Sequence, residues 1–460
     1  MSRDLIVVGG GPGGYVAAIR ASQLGLKTTL VERDAIGGAC LNRGCIPTKT
    51  LLHSASLYRE LLDSAAFGVV AENVTFDYGA MDARKNQVVR QLREGVEGLL
   101  KGNGVEMIPG SACVEGPGRV RVGEALLEAP HILLATGARP ALPSVPGLDL
   151  PGVLTSDDLL GKGGYYGRLV IVGGGVIGME FASLMSALGA EVTVIEAMDR
   201  ILPSMDKELA QSLAMLLKKR GVKIHASAKL EEVVRSPQGL TCRFTSKGGE
   251  EQVTSDGVLV AVGRRSNTEG LCAPHVDLGL DRGAIPVDED FETCIPGIYA
   301  IGDVVKGNIQ LAHVASAQGI NAVSRMAGKE PPVNLSALPS CVYTEPEIAC
   351  VGLTEAEAKA RAIPVRTGKY AMSGNGRTII ARGDRGFIKV VSQADTGVVL
   401  GAQLMCERAT DLIGELTAAV AEGKTLEQMS SLVRAHPTFA EGISEAAEAG
   451  LGLCIHQLGR

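Results

Sequence analysis

Two cysteines set the chemical question. Cys40 and Cys45 lie in the run Gly37-Gly-Ala-Cys40-Leu-Asn-Arg-Gly-Cys45-Ile-Pro-Thr-Lys49. In a continuous helix their spacing covers about one and a half turns. A disulfide between them would close a very short loop and so restrict the unfolded chain little. Such a bridge suits thiol–disulfide exchange better than structural stapling, although a buried pair of small hydrophobes is the bland reading. The spacing is not that of a zinc ribbon, and no neighbouring Cys/His pair completes a metal set, so no metal is expected. Lys49 stands one turn beyond Cys45, where a cation favours thiolate. Exchange also needs a base, because only the thiolate attacks. An imidazole, with an unperturbed pKa of ~6.5, suits that task. A lone His is more often not catalytic, and from the residues alone His436 is a candidate only. Glu441, five residues on, can accept the other ring N–H, and Pro437 pins the turn between them.

The elements around these residues are legible as a duplication. An apolar strand, Asp4-Leu-Ile-Val-Val8, leads into Gly9-Gly-Gly11-Pro-Gly-Gly14, a helical stretch from Tyr15 to Leu24, and a second strand ending in Glu32. The same unit returns as Leu169-Val-Ile-Val172, Gly173-Gly-Gly175-Val-Ile-Gly178, a helix to Leu188 and a strand ending in Glu196. The glycines move from 9 to 173 and the acids from 32 to 196, a shift of 164 in both. One glycine-rich turn is weak evidence; two in matched register, each between a strand and a helix, are strong. A further echo links His131-Ile-Leu-Leu-Ala-Thr-Gly137 with Gly257-Val-Leu-Val-Ala-Val-Gly263. Two dinucleotide-binding units are expected, one split by insertion of the other. In each, the glycines let the backbone approach a pyrophosphate at a helix N-terminus. Glu32 and Glu196 would accept from ribose hydroxyls. A carboxylate repels a 2′-phosphate, so Glu196 argues for NAD over NADP.

Composition removes other classes. The 460 residues suggest about three domains of ~100–200 residues. A 45% hydrophobic and 21% charged chain is ordinary for a globular protein. The net charge of −6, the absence of Trp and an aromatic fraction of 3% argue against nucleic acid as a partner. No apolar run reaches the ~20 residues of a membrane span, and the N-terminus enters a strand at once rather than a signal peptide. Ten cysteines, eight of them scattered singly, fit a reducing, cytoplasmic setting.

The cysteine run resembles the redox-active disulfide motif of the pyridine nucleotide–disulfide oxidoreductases, and within them the dihydrolipoamide dehydrogenase branch. The resemblance covers nearly the whole chain. It takes in Gly9 to Arg20, Ala135-Thr-Gly-Ala-Arg-Pro140, Gly173 to Glu180, Val262 to Asn267, Tyr299 to Val304, Leu311-Ala-His313, Tyr343-Thr-Glu-Pro-Glu347 and His436-Pro-Thr-Phe-Ala-Glu441. It implies an α/β fold with two Rossmann-like domains, for FAD and NAD, plus a C-terminal α+β dimerisation domain. The implied division is 1–147 and 266–337 for FAD, 148–265 for NAD and 338–460 for the interface. Cys45 would be the flavin-side thiolate and Cys40 the interchange thiol. His436, oriented by Glu441, would be the base, reaching the flavin site of the other subunit of a homodimer. FAD would meet Gly9, Gly11, Gly14, Glu32, Lys49, Ala112, Thr136, Gly137, Asp303, Leu311, Ala312 and His313. NAD would meet Gly173, Gly175, Gly178, Glu180, Glu196, Gly263 and Arg264, with Glu180 also the ion-pair partner of Lys49.

The activity implied is oxidation of dihydrolipoamide on a lipoyl-bearing carrier domain, in a 2-oxoacid dehydrogenase complex or the glycine cleavage system. A glutathione-reductase-like enzyme is the nearest alternative, but Glu196-Ala-Met-Asp199 is acidic where that group is basic. Mercuric reductase needs a C-terminal cysteine pair, and only Cys454 stands near the end. A flavin-bearing sensor without turnover would not need Cys40, Cys45, Lys49, His436 and Glu441 together. Gln318 replaces an expected Glu. Gly161-Lys-Gly-Gly-Tyr-Tyr-Gly167 reads as a flexible entry to the NAD domain. Arg43, inside the cysteine loop, fits either an acidic partner or plain exposure.

Overall fold

The short apolar runs that precede the two glycine turns are buried along their length, as strands covered on both faces must be. Leu5–Val8 and Gly257–Val260 are buried at every position, and Arg168–Val172 at all but its first. In a computed structural model, which describes residues 3–162, 164–383 and 386–458, these strands centre two parallel sheets. The first runs Ile298–Ala300, His131–Leu134, Leu5–Val8, Thr28–Glu32, Glu106–Pro109. The second runs Val153–Thr155, Gly257–Val260, Arg168–Val172, Glu191–Glu196, Lys223–Ala226. The two orders correspond position by position. Each sheet also carries a three-stranded antiparallel ribbon at the same point of its path: Ala112–Gly116, Arg119–Val122 and Ala125–Glu128 in one, Lys229–Ser236, Gly239–Ser246 and Gly249–Ser255 in the other. The difference lies at one edge. Ile298–Ala300 joins the first sheet after the second has been completed, whereas Val153–Thr155 opens the second.

The helices Pro12–Gln23 and Val176–Ala187 follow the glycine turns. Cys45–Leu62 packs against the second of these through a core shared by Leu51, Ala55, Met179 and Phe181. The strand pair Ala138–Pro140 and Arg264–Ser266 ties the two units together, antiparallel. Tyr165 packs edge-on against Phe76 at 5.2 Å and donates to the Leu188 carbonyl, so the described part of the expected flexible entry is anchored by its tyrosines. Gly163 of that stretch lies outside the described residues.

The C-terminal unit is an antiparallel sheet ordered Ser340–Val342, Glu347–Gly352, Val399–Cys406, Phe387–Gln393, Val365–Ala371. The helices Ala409–Ala421 and Glu441–Leu451 bury Ile413, Leu416, Ile443 and Ala446 in the core that also holds Val390 and Leu404 of this sheet. Among the described residues no helix is long and apolar enough to cross a membrane. After the last helix, Cys454 and His456 both bond to Glu445.

Lys389 joins this sheet to the second unit. Its Nζ lies 2.8 Å from Asp206, which caps the helix Lys207–Lys219 through the Glu208 N–H. Both side chains are buried, at 6% and 9% exposure. Removing one partner of such a pair strands the other charge away from water. Lys389→Met should therefore lower stability by about 3–5 kcal/mol. Lys359→Met, which breaks an exposed pair with Glu355, should cost about 0.5 kcal/mol or less. Denaturant unfolding of the two variants, side by side, checks this contrast.

Candidate active site

The glycines build two matched cradles. Gly9 and Gly173 adopt φ +105° and +109°, a conformation that favours glycine. A Cβ on Gly14 would collide with the Gly9 carbonyl, and one on Gly178 with the Gly173 carbonyl. The helix start is thus drawn tightly onto the strand end. Above it, Gly11 and Gly175 cap their helices without a side chain, leaving the N–H groups bare. Glu32 closes the first cradle: its Oε2 accepts from the Gly10 N–H at 2.6 Å and its Oε1 from Asp34. Glu196 closes the second in the same way, accepting from Gly174 at 2.5 Å and from Met198 at 2.6 Å. A cleft beside Glu32 is walled by Ile108, Pro109 and Arg93. These features fit a dinucleotide at each cradle.

Cys40 and Cys45 form a disulfide, with Cα atoms 4.7 Å apart. They do not share one helix. The short helix Gly38–Arg43 ends at Gly44, and Cys45 is the first residue of the helix Cys45–Leu62. A side chain at Gly44 would press on the Ala39 carbonyl and on Cys40. The break places Cys45 at the positive end of an 18-residue helix, which favours its thiolate. At its start, the short helix packs Gly38 onto Gly11 of the first cradle.

One turn along, Lys49 meets Glu180. Its Nζ lies 2.7 and 2.6 Å from the two carboxylate oxygens, and Glu180 is 5% exposed. The Tyr343 N–H also donates to Glu180, at 3.1 Å, and the Tyr343 ring lies 4.6 Å from the ammonium. All three units of the chain meet at this pair. Nothing in the run Tyr343-Thr-Glu-Pro-Glu347 points to this role of Tyr343.

Asp303 is held close to Arg264, with Nε to Oδ2 at 4.0 Å. Burial pushes its carboxyl up, and the guanidinium pulls it partly back. Arg264 also donates to the Ala138 carbonyl. It therefore faces the junction between the units, on the side of Asp303. Thr136 and Asn267 exchange bonds: Thr136 Oγ1 donates to the Asn267 carbonyl, and Asn267 Nδ2 to the Thr136 carbonyl. Gly137 accepts from the Asn267 N–H, and Gly263 sits at φ +129° just before Arg264. Ala112 lies on the first ribbon, half-buried. Leu311 caps the helix Ala312–Met326, and His313 in its first turn meets the Pro339 carbonyl at 2.8 Å. Gln318, on the same helix, is buried; its Oε1 accepts from the Gly302 N–H at 2.8 Å and its amide donates to Asn308. It braces the turn that carries Asp303 as a neutral hydrogen-bonding group.

His436 stands apart from the cysteines. Its Nδ1 meets Glu441 Oε1 at 2.8 Å, while its side chain is 78% exposed. Glu441 Oε2 accepts from the Thr438 N–H at 2.8 Å. Burial alone would raise Glu441, but the bonds from Thr438 and His436 outweigh it and hold the carboxyl below its usual range. The arrangement leaves Nε2 outward, an oriented base with nothing of its own chain to act on among these contacts. Among the described residues, no group of three or more His, Cys, Asp or Glu side chains is placed to hold a metal ion.

Two paired nucleotide cradles, a disulfide between them and an exposed His–Glu pair define a class. The pyridine nucleotide-disulphide oxidoreductase family matches residues 3–319, and its dimerisation domain matches residues 338–447. The chain belongs to this family. Its relatives include the dihydrolipoyl dehydrogenase of Thermus scotoductus, 41% identical over 99% of each chain. That of Haloferax volcanii is 40% identical over 99% of this chain and 98% of its own. One from Bacillus subtilis is 39% identical over 98% and 97%. Among solved structures, LpdA from Mycobacterium tuberculosis superposes with a TM-score of 0.87 at 29% identity, covering 97% of this chain and 99% of its own. The flavoprotein disulfide reductase RclA of Escherichia coli gives 0.86 at 27%, with the same coverage.

The two cradles are separable by one methyl each. Gly178→Ala should raise the KM for NAD⁺ at least about tenfold with bound flavin unchanged. Gly14→Ala should instead yield protein without flavin colour. Absorbance of the purified variants and steady-state titration of NAD⁺ distinguish the two.

Proposed function

We propose that the chain is an FAD-dependent dihydrolipoamide dehydrogenase that reduces NAD⁺ to NADH. The observation that carries this reading is the Cys40–Cys45 disulfide, in a segment that packs on the first glycine cradle through Gly38 and pairs with Glu180 of the second unit through Lys49. The full-length likeness to dihydrolipoyl dehydrogenases supports it. The division 1–147 with 266–337, 148–265 and 338–460 goes with this reading.

FAD would be held by the first cradle through Gly9, Gly11, Gly14 and Glu32. Lys49, Ala112, Thr136, Gly137, Asp303 and Leu311 to His313 would complete its site. NAD⁺ would use Gly173, Gly175, Gly178 and Glu196, with Glu180, Gly263 and Arg264 at the junction. Both oxygens of Glu196 accept from backbone N–H groups, which holds a carboxylate at the end of this strand, and such an anion would disfavour a 2′-phosphate. The chain acts as a homodimer, and His436 serves the disulfide of the other subunit. Its exposure, with Glu441 behind it, supports that role. The substrate is the dihydrolipoyl arm of a separate carrier domain, of a 2-oxoacid dehydrogenase complex or the glycine cleavage system. The eight free cysteines support a reducing cytoplasm.

In the reaction, Nε2 of His436 takes a proton from one substrate thiol. The thiolate attacks Sγ of Cys40, and the Cys40–Cys45 bond breaks. Cys45 leaves as a thiolate, stabilised by the helix end beneath it. The second substrate thiol then displaces Cys40, closing the lipoyl disulfide and leaving the protein pair reduced. Bound FAD supplies a two-electron relay from the dithiol to NAD⁺. The balance is two electrons to NAD⁺ with one proton retained in NADH and one released. Lys49 holds a positive charge at the relay, and Glu180 keeps it in place.

Anaerobic assays with paired substrates test the reading. Turnover is expected with NAD⁺ and dihydrolipoamide and not with NADP and glutathione; the reverse would assign the enzyme to the glutathione-reductase type. Cys45→Ser should retain FAD yet lose lipoamide turnover. His436→Gln should lower turnover about 10²–10⁴-fold while flavin reduction by NADH survives. Near-normal turnover in that variant would remove His436 from the role of base.

A further inference from the structure

The helix that carries Cys40 loses one of its tethers when the disulfide opens. Gly38–Arg43 spans six residues, too short to be stable by itself. In the oxidised protein Cys40 is tethered to Cys45. Reduction removes that tether just when Cys40 must stay in reach of substrate. Asn42 gives some anchorage, donating to the Ile36 and Gly38 carbonyls at 2.9 and 3.0 Å, and Leu41 is buried. A further, charged anchor is Arg43, three residues from Cys40 and so on the same helical face. Its guanidinium lies 2.6 Å from Asp34 and 3.5 Å from Asp157.

Both acids belong to parts of the active site's frame. Asp34 follows Glu32 and donates its N–H to it. Asp157 lies in the first turn of the helix Ser156–Lys162, which enters the second unit. Its Oδ1 is buried and, among the described residues, has no hydrogen-bond partner. Burial pushes Asp157 up, while Arg264 and Arg43 oppose that. Arg43 is thus the cation between two carboxylates beside a disulfide that must accept charge. Opening the bond takes two electrons and one proton and yields one thiol and one thiolate.

We infer that Arg43 is a positioning residue: clasped by Asp34 and Asp157, it fixes the Cys40 helix and favours the reduced form of the Cys40–Cys45 couple. This rests on the exchange chemistry proposed above. Removing Arg43 leaves Asp34 without its cation and Asp157 with Arg264 alone, a net gain of negative charge that disfavours the thiolate. Removing the charge of Asp157 does the opposite.

The test equilibrates the FAD-loaded enzyme anaerobically with reduced and oxidised dithiothreitol, then traps the thiols with a maleimide and weighs the protein. Arg43→Met should lower the equilibrium constant for reduction about tenfold, or about 30 mV. Its kcat/KM for dihydrolipoamide should fall by a similar factor, with NADH-driven dye reduction within about twofold of the parent. Asp157→Asn should shift the couple the other way, about threefold. An unmoved couple in both variants overturns the inference. So does a shift of both in the same direction, which is the mark of a merely loosened helix. The dithiothreitol equilibrium reads the cysteine pair whether or not dihydrolipoamide is the substrate, so failure of the functional reading stays distinct.

Discussion

The ion pair between Lys49 and Glu180 is the point on which the rest of the site depends. An ammonium and a carboxylate taken out of water are costly unless each finds its partner and further hydrogen bonds. Glu180 satisfies that condition with two oxygens on Lys49 and one backbone N–H from Tyr343. The groups come from three parts of the chain: the disulfide helix, the second nucleotide unit and the entry to the C-terminal sheet. A shift of the first or second would unpair a charge, and a shift of the third would strip Glu180 of its backbone hydrogen bond. The geometry of the cysteines relative to the second cradle is therefore fixed by electrostatics as well as by the apolar contact of Leu51 with its neighbours. The Lys389–Asp206 pair repeats the device between the second unit and the C-terminal sheet.

Each cradle solves a backbone problem before it solves a binding problem. A helix must start within one turn of a strand end without a side chain in the way. The glycines at 9, 14, 173 and 178 allow this, because any Cβ there would meet a carbonyl. The acid that ends the next strand then braces the turn through its own carboxylate. Glu32 and Glu196 are thus structural ligands of their loops as well as groups able to meet a ribose. The bare helix ends above them provide the electropositive floor that an anionic phosphate requires.

Much of this architecture can be read in the residues, and the reason is periodicity. The 164-residue shift preserves strand, turn, helix and acid together, and buried parallel strands have no choice but apolar runs. The Cys40–Cys45 pair is legible because exchange chemistry needs two cysteines at short range, whereas the His436–Glu441 pair is singled out by the resemblance of the run His436 to Glu441. Of the contacts distant in sequence, the Lys49–Glu180 pair came only through the resemblance, and the others escaped. The helix break at Gly44, which separates the cysteines onto two helices, depends on the packing of one glycine against Ala39. Arg43 was ambiguous because its partner Asp157 lies more than a hundred residues away. Arg264 turns toward Asp303, a contact that no local pattern announces. The tyrosines of the Gly161–Gly167 stretch anchor what composition alone suggested was a loose connection.

The displaced edge strand of the first sheet has a consequence for how the chain is made. Synthesis delivers every strand of the second sheet by Val260, but the first sheet lacks Ile298–Ala300 until later. The inner unit can thus close while its host is still unfinished on the ribosome. The outer sheet then forms around an already rigid insert, whose presence shortens the loop that must be closed to bring residue 298 back beside residue 132. The order of the strands along the chain thus lets the inserted sheet be complete before its host, although the host begins first.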